Sequence, residues 1–243
     1  MAIHAASPRA VRDRFLSIGA AVLLPAIVLA GFARTYYLKG LFDTPPLRSS
    51  LVHLHGALMT AWVALFITQI WLVSSRRVRV HQRLGLIGAT LAVAVVVVGL
   101  LTAVVGAAHG AAPKGVPPLV FLVVPTMDMV VFVILLSAAL YFRRRPEIHK
   151  RLMVLTAFNF LPPAVARIQL PFIQNAGLPA IFGIADALLL VAVAYDTWRH
   201  RRLHPAMALG ALLILLSLPL RIALGGTAWW MRLATWATGW VAV

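Results

Sequence analysis

His55, Met59, Trp62, Phe66 and Gln69 stand at i, i+4, i+7, i+11 and i+14, so one helical face carries an imidazole, an indole and a carboxamide. A second stripe, His149, Thr156, Asn159, Pro163 and Arg167, follows the same period further along. Two carboxylates, Asp128 and Asp186, and another arginine, Arg221, stand alone in other apolar runs. Imidazole with carboxylates can hold a metal ion, and imidazole alone can be an axial ligand of haem. Arginine matches anionic groups through its planar fork of donors. The candidate site is therefore His55, Asn159, Arg167 and Arg221 for a cofactor or ligand, with His55, Asp128 and Asp186 as a metal set. Cysteine is absent, which excludes disulfides, thiolate ligands, thiol nucleophiles and covalent haem attachment. HExxH, GxSxG and P-loop patterns are absent too.

The elements that must position these groups are membrane spans. The chain is 62% hydrophobic with a mean hydropathy of +0.93, against roughly 45–50% apolar residues in soluble domains. Leu51–Ser74 is long enough to cross a bilayer, since ~20 apolar residues span the hydrocarbon layer. Seven spans are expected, at roughly 15–33, 51–74, 82–106, 117–142, 149–170, 178–198 and 205–224. Together they form one all-α, integral membrane helical bundle over residues 1–243. The first run, behind the basic MAIHAASPRAVRDRF, reads as a retained span and not a cleaved signal. The tail 227–243 carries four of the seven tryptophans and reads as an interfacial helix.

Charge sets the expected orientation. Of 22 Lys and Arg, 15 fall in the N-terminus and in the second, fourth and sixth connections, Lys150 and Arg151 among them. The positive-inside rule puts the N-terminus in the cytoplasm and the C-terminus outside, in a bacterial inner membrane. The excess charge is thus topological, directed at the bilayer and its anionic headgroups, and nucleic acid is not an expected partner.

A basic run, a histidine and a new helix recur as RRVRVHQRLG, RRRPEIHKRLM and WRHRRLHPAM, giving one helix followed by three repeated hairpins. His81, His149 and His204 in these copies read as interface anchors, with a metal or haem layer as the alternative. His53 shares a stripe with Ala57, Thr60 and Ala64, a close-packing surface. The third span carries Gly85, Gly88, Ala92, Gly99 and Gly106 along one face and reads as scaffold. Pro125, Pro162, Pro163 and Pro219 free backbone carbonyls beside the internal polar residues, as in membrane cavities.

Residues 51–198 resemble a bacterial multi-spanning membrane family of unknown function. The likeness rests on His55-Gly56, Gln69, the His81-x-Arg83-Leu84-Gly85 step, the His149-to-Met153 step and Arg167. His55-Gly56-x-x-Met59-x-x-Trp62 is more faintly similar to the helix start of transmembrane b-type cytochromes, which implies haem held between histidines of different helices. Three functions stay open: redox chemistry on haem or a metal through His55, binding or transport of a small anionic or polar ligand at the arginines, and a structural role in which the internal charges only pair. Whether the chain is an enzyme is open with them.

Overall fold

The computed structural model describes residues 15–42, 44, 47 and 49–241, so Arg9, Arg12, Arg14 and Arg48 lie outside the described residues. Among the described residues the chain is all-helical. Helix α1 (Phe15–Phe32) widens into a π-helical turn over Ala33–Tyr37. Helices α2 (Ser50–Ser74) and α3 (Val78–Ala108) follow. A short α4 (Pro118–Phe121) leads into α5 (Val123–Tyr141). Then come α6 (Pro146–Phe158), α7 (Leu161–Val165) and α8 (Pro171–Ala176). Helices α9 (Leu178–His200), α10 (Pro205–Gly225) and α11 (Ala228–Gly239) complete the bundle.

Among the described residues, six helices are long and apolar enough to cross a membrane: Gly19–Tyr37, Ser50–Ser74, Val78–Ala108, Pro118–Tyr141, Leu178–His200 and Pro205–Gly225. The expected single span at 149–170 is absent as such, because the helix stops at Phe158 and restarts at Leu161. Proline explains the break. Pro162 and Pro163 offer no N–H to the carbonyls of Phe158 and Asn159, yet they suit the first turn of a new helix.

This broken element is the centre of the bundle. Leu152, Val154, Leu155 and Phe158 of α6 and Leu161 of α7 pack in one core with α1, α2, α5, α9 and α10. Close backbone approach makes that possible at Gly31 of α1, where an added Cβ would collide with the backbone carbonyl of Ala164. The outer helices instead leave large apolar side chains exposed, among them Leu86, Val93, Val133, Leu190 and Leu209. Such a surface suits lipid and not water.

The α2–α3, α5–α6 and α9–α10 connections share one end of the bundle. The His81 and His149 rings meet edge-on at 6.3 Å between centroids, and His149 donates from Nδ1 to the Ala139 carbonyl at 2.8 Å. At that end Arg151 donates from Nε to Asp196 at 2.8 Å, tying the start of α6 to the end of α9. Arg76, Arg77, Arg79, Arg143, Arg144, Arg145, Arg199, Arg201 and Arg202 are all in these connections or on their rims.

Two packing expectations fare differently. The small-residue face of α3 is scaffold: Gly88 lies under Leu65, Gly99 under Met129, and Ala92 is buried. On α2, His53, Ala57 and Ala64 are exposed, and only Thr60 of that stripe packs, its hydroxyl 2.9 Å from that of Tyr37. Small residues permit close packing but do not create a partner, and among the described residues no helix covers that side. The tail is amphipathic as expected, with Trp229, Trp236 and Trp240 exposed. Trp230 differs: it is buried and donates from Nε1 to the Leu119 carbonyl at 2.8 Å, clamping α11 onto α4.

Candidate functional site

A cavity of about 360 Å³ occupies the end of the bundle opposite the basic connections. Its walls come from the last turns of α1 and the π-helical turn, the first half of α2, the last turns of α3, the start of α5, the α6–α7 break and the start of α9. The helical period of α2 delivers His55, Met59, Trp62 and Phe66 into it together, as their spacing predicts. Gln69 is too far along. Its amide lies near Gly85 of α3, with Oε1 buried and unpartnered.

The lining is mostly apolar and aromatic, with few polar points. His55 is half-buried and Nδ1 lacks a partner, while Trp62 is 5% exposed with Nε1 also unpartnered. Arg167 lines the cavity where α7 has just ended. One of its N–H groups reaches the Pro163 carbonyl at 2.8 Å, and the guanidinium stacks on Phe32 at 4.6 Å from the ring centroid. Asp128 is also part of the wall.

Behind Asp128 lies a second, much smaller crevice, about 10 Å³, shared by Asp128, Asn159, Asp186, Ser217 and Arg221. That is about the room one water needs. Arg221 pairs with Asp128 at 2.8 Å, reaches the Ser217 hydroxyl at 3.1 Å and stacks on Phe182 at 5.3 Å. Asn159, at the helix break, donates to the Asp128 carbonyl at 2.8 Å.

The candidate residues thus divide. His55, Asp128 and Arg167 line the large cavity, whereas Asn159, Asp186 and Arg221 lie in the crevice behind it. The stripe on the fifth predicted span is split by its own break, with Pro163 and Arg167 turned to the cavity and Asn159 to the crevice. The metal set does not assemble. Among the described residues no three His, Asp or Glu side chains gather to hold an ion, and Asp128 is engaged by Arg221. Haem held between two histidines does not fit either, because among the described residues His55 is the only histidine in the cavity wall. Arg167 and Asp186 do not meet among the described ion pairs, and they line different cavities.

The charge cluster at the basic end was not expected. Arg151, read as topological, is 1% exposed, and Asp196 is fully buried beside it. Glu147 receives Arg151 at 2.9 Å, and His200 donates from Nδ1 to the Asp196 backbone carbonyl at 2.8 Å. The spacing held a signal: Glu147–Arg151 and Asp196–His200 are both i, i+4 pairs in a chain with only six acids. His204 caps α10, its Nδ1 accepting from the Ala206 N–H at 3.2 Å. Burial, then the nearby Arg151, hold its pKa below the usual 6.5, which keeps the accepting form.

Compared with models of known protein families, with curated proteins and with solved structures, the chain finds no match. The fold and site define an all-helical bundle of membrane-spanning type with a mostly apolar cavity at one end.

Proposed function

We propose that this protein binds a small organic molecule in the cavity between α1, α2, α5 and the α6–α7 break. One observation carries the reading: an apolar cavity of about 360 Å³ whose wall includes a few polar residues, His55, Trp62 and Arg167 among them. Small-molecule pockets have this character, at volumes of roughly 300–1,000 Å³. The redox reading would need a second axial histidine or a cluster of ligands beside His55. The purely structural reading accounts for Asp128–Arg221 but leaves the cavity and Arg167 without a role.

The finer architecture belongs to the same proposal. The chain crosses a bacterial inner membrane seven times, with the broken α6–α7 segment as the fifth crossing. Its N-terminus is cytoplasmic, its C-terminus outside, and the basic end meets anionic headgroups. The three hairpins descend from one repeated unit, and the membership in an uncharacterised multi-spanning family stands as part of this reading. A broken helix at depth is tolerated where it is surrounded by protein and lines a cavity, which supports its place here.

The test is ligand-dependent thermal stabilisation of the protein in nanodiscs across a panel of small apolar-bodied molecules, compared with Ala166→Leu, which narrows the cavity. Stabilisation of the wild type, weakened in the variant, is expected. No stabilisation by any member, or a haem spectrum or stoichiometric metal in the purified protein, would overturn the reading.

A further inference from the structure

Most polar groups on the cavity wall are already matched. Asp128 has Arg221, the Thr102 hydroxyl donates to the Val98 carbonyl at 2.7 Å, and Tyr37 meets Thr60 at 2.9 Å. Tyr36 donates to the His53 carbonyl at 3.2 Å. Three groups differ. Arg167 spends one N–H on a neutral carbonyl, and among the described ion pairs no carboxylate meets it. Trp62 Nε1 and His55 Nδ1 are buried with no partner.

A guanidinium has five donors and a charge that no environment removes. Arg167 is exposed where it lines the cavity, and among the described residues it meets no counter-charge, so one positive charge of the lining stays unmatched while Asp128 and Arg221 cancel each other. An anion with its oxygens in one plane satisfies such a fork best, and a carboxylate is the simplest. The remaining wall, built from Met59, Val63, Phe66, Val124, Phe160 and Ile181, suits a hydrocarbon body. Resting on the pocket reading above, we infer that the ligand is an anionic amphiphile: a carboxylate head on Arg167 and an apolar body of modest length toward Trp62. At roughly 30 Å³ per heavy atom with its hydrogens, the share one water takes in the liquid, the cavity holds about a dozen heavy atoms. That is a medium-chain carboxylate and not a whole phospholipid.

The experiment compares decanoate with decanol, which share a chain and differ in charge, binding to the full chain in zwitterionic nanodiscs with empty nanodiscs subtracted. Detergent is avoided because its tail would compete. Decanoate is expected to bind at least about tenfold tighter than decanol, the scale of one charge-assisted hydrogen-bonded pair. Arg167→Gln should erase the preference, and Arg167→Lys should keep part of it. Unliganded melting of both variants reports whether the fold survives. If Arg167→Gln does not fold, the lysine variant and the wild-type ratio still decide. Equal binding of the two probes, or a preference that persists without Arg167, overturns the inference but leaves the pocket. Stabilisation by neutral members of the wider panel with none by decanoate does the same. Stoichiometric phospholipid in the purified cavity would overturn it in favour of a lipid site, and no binding by any molecule removes the pocket reading as well.

Discussion

Arg151 Nε donates to Asp196 Oδ2 at 2.8 Å, and the two side chains are 1% and 0% exposed. The pair joins the first turns of the central helix to the last turns of α9, and Glu147 accepts a further hydrogen bond from Arg151. Removing one member strands a buried charge, at a cost of roughly 3–5 kcal/mol, whereas replacing both by apolar residues can be neutral. Arg151→Met and Asp196→Leu are each expected to lower the melting temperature sharply, and the double variant to recover much of the loss. Melting curves in nanodiscs decide this; a double variant as poor as the sum of the singles would rule out a coupled pair.

The internal charges at the other end make a sharper contrast. Asp128 and Arg221 touch, so their double-mutant cycle should show a coupling of roughly 0.5–3 kcal/mol. Arg167 and Asp186 line different cavities, so their effects should add within about 0.3–0.5 kcal/mol. The reverse pattern would mean that Arg167 pairs with Asp186 instead.

What the sequence made legible follows from which signals are geometric. The 3.6-residue period of α2 is unaffected by the surroundings, so His55, Met59, Trp62 and Phe66 could be placed together in advance. Arg151 was concealed by its neighbours, because charge counting treats every residue of a basic run alike and cannot say which one turns inward. Its counterpart in the first repeat, Arg83, sits at the same spacing after a histidine and is exposed. His53, Ala57 and Ala64 misled for the opposite reason: a stripe of small residues says that a helix could approach, and among the described residues none does. Pro162 and Pro163 announced a disturbance, but whether prolines kink a helix or end it depends on what fills the space, here Phe160 and Leu161 in the core.

His204 gives the chain an acid-side sensitivity. In the folded chain its Nδ1 must be free of a proton to cap α10, and its pKa lies below the ordinary 6.5 of the unfolded chain. Between those two values the unfolded chain binds the proton more readily, so stability falls as pH drops through about 6.5 and stops falling below the folded value. His204→Asn keeps a capping side chain without the titration and should flatten this part of the stability–pH profile. His204→Ala should flatten it too, at a cost of about 0.5–2 kcal/mol for the lost cap. A slope unchanged in the asparagine variant would assign it to another group.

Two glycines should respond oppositely to the same substitution. At Gly31 a methyl group would meet backbone, with the carbonyl carbon of Ala164 at 2.8 Å, and backbone has little freedom to yield. Gly31→Ala is expected to destabilise by about 1–3 kcal/mol or more, by forcing α1 away from α7. At Gly183 of α9 nothing lies within 4 Å. There alanine improves helix propensity and restricts the unfolded chain, so Gly183→Ala should be neutral or stabilising by about 0.4–1 kcal/mol. Unfolding midpoints measured side by side test both, and loss at Gly183 would indicate a contact with something outside the chain.

The absence of cysteine makes the topology directly measurable, because any introduced thiol is the only one. Three exposed positions report on the proposed crossings: Lys114 between α3 and α4, Arg144 between α5 and α6, and Asn175 on α8. If the broken α6–α7 segment crosses the bilayer, Asn175 lies on the same side as Lys114 and opposite Arg144. Lys114→Cys and Asn175→Cys should therefore react with a membrane-impermeant maleimide on intact inner-membrane-accessible cells, while Arg144→Cys reacts only after permeabilisation. Under the proposed orientation Arg144, at the basic end, lies on the cytoplasmic side. Labelling of Lys114→Cys without Asn175→Cys would leave six crossings and move the cavity's last wall away from the outer side. Labelling of Arg144→Cys alone would invert the orientation and place the cavity, with Arg167, toward the cytoplasm.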